Sequence, residues 1–115
     1  MITAKALRAF ALSLAGAHEE PHFERTSFRV GKKIFATMTA GGDEAMVRVF
    51  PYERLEALMS ARPDAFFSYG GWTEKYCALG VRLAKVDAAL LRELINDSWA
   101  RIAPKPRASR SRRRE

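Results

Sequence analysis

Residues 44–63 read EAMVRVFPYERLEALMSARP, and the change of period inside them decides the fold class. Ala45, Val47 and Val49 alternate with Met46, Arg48 and Phe50. Successive side chains of a strand point to opposite faces, so this is a strand with one apolar face. Pro51 follows directly. Its fixed φ and missing N–H suit a first helical turn, and the period then lengthens: Leu55, Leu58 and Met59 make one helical face. Pro63 stops that helix.

Working outward, FERTSFRV (23–30) and KKIFATMTA (32–40) are short extended runs, separated by turn residues at Gly31 and Gly41–Gly42. With residues 44–50 they make a meander of antiparallel strands. Residues 3–16 predict a first helix, capped by Thr3, with Leu7, Phe10, Ala11 and Leu14 on one face and Gly16 at its exit. On the other side, DAFFSYGGW (64–72) reads as a loop or strand entry. KYCALGVRL (75–83) alternates, which puts Lys75, Cys77, Leu79, Val81 and Leu83 on the core side. Asp87 caps a last helix with Leu91, Leu94, Ile95, Ser98 and Ile102 inward, and Pro104 ends it. The expected class is α+β, an antiparallel sheet covered by helices in the order α-β-β-β-β-α-β-β-α. Residues 1–104 form one domain in this reading, and 105–115 a disordered basic tail.

The net charge of +7 is unevenly distributed. From Pro104 onward six basic residues face one acid, whereas residues 1–103 hold 14 basic and 12 acidic side chains. The body is therefore nearly balanced, and overall charge says little about what the body binds. A single cysteine, Cys77, excludes an intrachain disulfide and fits a reducing compartment. No apolar run reaches the roughly 20 residues of a membrane helix. In MITAKALRAFALSLAGA, Arg8 interrupts the apolar run and the apolar positions form one stripe, so a helix is preferred over a leader. These features predict a cytoplasmic protein.

Catalysis finds little support. His18 and His22 flank Pro21, which breaks the helical register a paired zinc motif requires. Cys77 falls on an expected core face, where thiols are inert. Glu19, Glu20 and Glu24 read as a solvated turn, and GKKI (31–34) has one glycine and no phosphate-loop pattern. The expectation is no enzyme, no metal and no cofactor. Binding has more to offer. Arg25, Arg29, Lys32 and Lys33 gather at a hairpin tip, with Arg48, Lys75 and Arg82 on neighbouring strands. Such cations can track phosphates, or can simply solvate a sheet face. Tyr69, Trp72 and Tyr76 stand among cations and can stack a base or contact a ligand, although aromatics are more often core. The tail adds Arg110, Arg112 and Arg113, suited to nucleic acid, an acidic protein or solubility alone.

Four stretches together carry a resemblance: FRVGKKIFATM (28–38), VFPYERLEALMSARPDAF (49–66), GGWTEKYCALGVRL (70–83) and LLRELINDSWARIAPK (90–105). They resemble the MmcQ/YjbR family of small bacterial proteins, from about Pro21 to Lys105. The resemblance implies a CyaY-like (frataxin-like) fold and a DNA-binding role, a role attached to the family by likeness of fold to a phage transcription-factor domain. DNA is favoured over RNA on this ground. No catalytic residues accompany the resemblance. An iron role of the frataxin kind needs an acidic first helix, and here that helix carries Lys5 and Arg8 and no acid before Glu19. The alternative is a non-enzymatic module for a protein partner or a small ligand.

Overall fold

A computed structural model describes residues 1–103. The elements are α1 (Ala4–Ser13), β1 (Ala17–His22), β2 (Arg25–Val30), β3 (Lys33–Thr39), β4 (Glu44–Arg48), α2 (Tyr52–Ala61), β5 (Phe66–Ser68), α3 (Gly71–Tyr76), β6 (Ala78–Arg82) and α4 (Ala88–Ile102). The strands form one six-stranded antiparallel sheet in the order β1-β2-β3-β4-β6-β5. The fold is α+β, as the change of period predicts. Residues 105–115, with Arg110, Arg112 and Arg113, lie outside the described residues. Among the described residues no helix is long and apolar enough to cross a membrane.

The alternation in β4 sorts its residues between two environments. Ala45, Val47 and Val49 are buried, beside Leu79 and Val81 of β6, Phe28 of β2 and Ala36 and Met38 of β3. Leu7 and Ala11 of α1, Leu55 of α2 and Leu91, Leu94 and Ile95 of α4 complete this core. Thr3 caps α1 by accepting the Ala6 N–H, and Asp87 caps α4 by accepting that of Leu90. Trp99 ties α4 to the exit of α1, its indole N–H donating to the Ala15 carbonyl at 2.9 Å. On the loop after α2, the hydrogen bond from Arg62 holds the Asp64 carboxyl below the usual carboxylate range. That contribution is present at neutral pH and is lost as pH falls through the lowered pKa.

Phe28 pairs with Ala36 and Arg29 with Ile34, so Phe35 is the extra residue of a β-bulge. Its side chain is fully buried, and Ser98 of α4 donates to its carbonyl at 2.7 Å. The bulge shifts the phase of β3. Ile34 and Thr37, three apart, consequently reach the same outer surface.

Two expectations need correction. Residues 17–22, read partly as a solvated acidic turn, form the edge strand β1. Its side chains are mostly solvated on both faces, so no alternation marks it, and an edge strand tolerates Pro21 because an outward position donates to no neighbour. Residues 71–76, read as the approach to a strand, form α3. Thr73 is the reason: its buried Oγ1 accepts the Tyr69 N–H at 2.7 Å and donates to the Ala78 carbonyl at 2.6 Å, closing a helical turn. Cys77 then takes a left-handed conformation, and β6 starts at Ala78. Lys75 and Cys77 are thus not on the core face of a strand. The expected element order holds apart from this inserted helix.

The outer face is organised by the ring of Phe67, which lies directly on Gly80. A Cβ at Gly80 would approach the Phe67 ring to 2.4 Å, so glycine is required by contact rather than by φ. Gly80→Ala is expected to destabilise the protein by about 1–3 kcal/mol, the range for overpacking. Denaturant unfolding checks it. Gly80→Ala/Phe67→Ala should cost less than the sum of the single changes.

Candidate functional site

The outer face of the sheet, opposite the buried side of β4, carries an open groove of about 770 Å³. Met46, Arg48 and Phe50, the outward set of the β4 alternation, contribute from its middle. Ile34 and Thr37 of β3 and Ala78 of β6 extend the floor. His22 and Arg25 belong to the β1–β2 hairpin, Lys32 and Lys33 to the start of β3 and its turn, and Trp72 and Tyr76 to α3. Arg101 and Ile102 come from the last turn of α4.

Five of these residues, Arg25, Lys32, Lys33, Arg48 and Arg101, carry full positive charge, and among the described residues no carboxylate lines the groove. Several acids of the surrounding elements are paired away from the groove. Glu19 pairs with Arg8, Glu20 with His18, and Glu93 and Asp97 with Arg54. Glu74 of α3 acts on Tyr52, whose phenol pKa is raised by desolvation and by the carboxylates of Glu56 and Glu74. Among the described residues, none of the five cations belongs to an ion pair.

Aromatic rings separate the cations. The Arg25 guanidinium donates to Thr37 Oγ1 at 3.0 Å and to the Tyr69 hydroxyl at 3.4 Å, and lies 5.5 Å from the Tyr69 ring centroid. Arg48 donates from Nε to the Tyr76 carbonyl at 2.9 Å, which fastens the end of α3 to β4. Phe50 takes two guanidiniums, those of Arg48 at 5.1 Å and Arg101 at 4.3 Å. Trp72 and Tyr76, four apart on α3, stack at 4.9 Å with planes 35° apart. Trp72 is nevertheless 66% exposed.

Of the residues singled out in the sequence, Arg25, Lys32, Lys33, Arg48, Tyr69, Trp72 and Tyr76 meet in the groove. Arg29 stands beside it on β2, donating to Ser27 Oγ at 2.8 Å with Nη2 3.5 Å from His22 Nδ1. Lys75 is on α3, 5.4 Å from the Tyr76 ring centroid. Arg82 is occupied structurally, lying over Phe67 at 4.7 Å and donating to the carbonyls of Pro63 and Asp64. Arg101 and Phe50 were not among the candidates. Phe50 was signalled by its place in the outward set of β4, whereas nothing local marks Arg101, which only the docking of α4 brings in. His18 and His22 lie four apart on β1, so the strand rise separates them by about 13 Å along the chain. Among the described residues there is no cluster of three or more His, Cys, Asp or Glu that could hold a metal.

A model of the YjbR family matches residues 12–101. The chain belongs to the YjbR family. The match includes every element from β1 to β6, and Arg101 within α4. The fold of this YjbR chain is also similar to the crystal structure of Deinococcus radiodurans protein DR2400, which carries the domain DUF419. The two are 27% identical and align over 97% of this chain and 88% of that one, with a TM-score of 0.79. A comparison with curated proteins found no match.

Thr73 positions the aromatic side of the groove, because both its hydrogen bonds close α3. Thr73→Ala leaves the Tyr69 N–H and the Ala78 carbonyl without that partner, and is expected to cost about 1–3 kcal/mol. Native-state hydrogen exchange at Tyr69 should accelerate. Unchanged protection there would show that Thr73 is not the anchor of α3.

Proposed function

We propose that this YjbR domain is a non-enzymatic nucleic-acid-binding module, with DNA the form that the family resemblance favours, and that it works in the cytoplasm. One observation carries the reading: among the described residues, five cations and no carboxylate line a groove whose other prominent groups are aromatic. Unpaired like charges on one face raise the local positive potential and favour a polyanion, whose bound counterions are released on contact. The nearly neutral body sharpens this, since the positive charge is concentrated in place rather than large in sum. The arginine-rich residues beyond 104 add sequence-independent attraction in the same reading.

A second reading is a small anionic aromatic ligand. The groove supports it by its volume, about 770 Å³, which falls within the range of ligand pockets.

Salt dependence separates the two. Binding to an oligonucleotide should weaken linearly in log–log form as salt rises, and each groove cation removed should reduce the slope by about 0.7–0.9. Lys33→Ala and Arg101→Ala should show this by fluorescence anisotropy, whereas Arg92→Ala, exposed on α4 outside the groove, should not. Truncation after Ala103 should weaken binding of the full-length protein without removing it. Absence of binding by full-length protein at low salt would defeat the proposal.

A further inference from the structure

Resting on that reading, we propose that the groove holds an unpaired strand, with bases stacked on Trp72 and Tyr76 and phosphates against Arg48, Arg101, Lys32 and Lys33. The first argument is the aromatic pair itself. Trp72 is 66% exposed and Tyr76 37%, yet they are held in a stack on a helix closed by Thr73. An exposed, positioned ring offers a π-face. In a duplex the faces of the bases are already stacked on one another, whereas in a single strand they are free.

The second argument is alternation. In the groove Arg25 lies over Tyr69, and Arg48 and Arg101 over Phe50; Lys75, beside it on α3, lies over Tyr76. Cations and rings succeed one another around the groove as phosphates and bases do along a strand. Single-strand binders combine these same two elements, a positive channel and stacking rings.

Shape is the third. Duplex DNA is read by a protruding helix or β-ribbon that enters a major groove about 12 Å wide. Here the surface is recessed: Thr37, Met46 and Ala78 form a floor between α3, the end of α4 and the β1–β2 hairpin. Base edges inside a duplex cannot descend to it. From β2 to β6 the groove crosses three strand spacings, about 14 Å, the scale on which a four-stranded sheet stacks about two or three bases.

The test is anisotropy at about 50 mM salt, with full-length protein and a labelled 12-nucleotide strand of mixed sequence, free or as a blunt duplex. The single strand should bind at least about tenfold more tightly and quench tryptophan emission. Trp72→Ala should abolish the quench and weaken single-strand binding by about tenfold, Trp72→Phe should retain most of it, and heparin, a polyanion without bases, should bind both variants equally. Trp72 is exposed, so circular dichroism should confirm both variants folded. Equal affinity for duplex and single strand, indifferent to Trp72→Ala, would overturn the inference and leave nucleic-acid binding intact. A nucleoside monophosphate binding as tightly as the strand would also overturn it. No salt-sensitive binding to either form would defeat both readings.

Discussion

β4 and β6 pair antiparallel from Glu44↔Arg82 to Arg48↔Ala78, across an excursion of 29 residues that contains α2, β5 and α3. Closing that loop has an entropic cost, offset by what the pairing buries. Ala45, Val47, Leu79 and Val81 meet on the inner face and join the core, while Met46, Arg48, Ala78 and Gly80 are delivered to the outer one. The same pairing brings β5 to the sheet edge, where Phe67 settles on Gly80, and presents α3 beside β4, where Arg48 catches the Tyr76 carbonyl. The core and the groove are two sides of a single ladder.

The division between the two faces is also a division of chemistry. The inner face is covered by α1 and α4 and is largely apolar at its buried centre, with Ser98 the polar residue there, satisfied by the Phe35 carbonyl. The outer face holds buried polar groups that are satisfied locally: Ser27 donates to the Glu20 carbonyl, and Thr37 accepts from Arg25. Clustering five cations on one surface is electrostatically unfavourable without a partner. The repulsion is moderated by the rings between them, whose faces attract guanidinium and ammonium groups. An anionic occupant would offset the remainder, which is why charge placement, and not net charge, is informative in this protein.

Where side-chain periodicity and burial coincide, the fold was legible. Residues 45–50 alternate and the structure buries every second one; residues 88–102 repeat at helical spacing and Leu91, Leu94, Ile95 and Ser98 face inward. β1 was harder because an edge strand solvated on both faces has no apolar rhythm to reveal it. α3 was obscured for the opposite reason. Lys75, Cys77, Leu79, Val81 and Leu83 share an alternation that extends past the true strand, and two hydrogen bonds to Thr73 outweigh it. The groove was partly visible as cations near aromatics, but Arg82 proved to be a structural clasp, and Arg101, 51 residues beyond Phe50, entered from α4.

By itself the sequence determined which segments alternate, which coil and where prolines stop them, because these follow from the geometry of one strand or one helix and from its nearest neighbours along the chain. It also determined that the body has almost no net charge to spare. Only the tertiary structure decided that this modest charge is sorted, with several acids paired outside the groove and five cations left together on one face. Sorting depends on which distant elements touch: the bulge at Phe35 that turns Ile34 outward, the contact of Phe67 with Gly80, and the docking of α4 that places Arg101 over Phe50. Contacts between residues far apart in the chain leave no period to read, so the groove exists only once the sheet has closed.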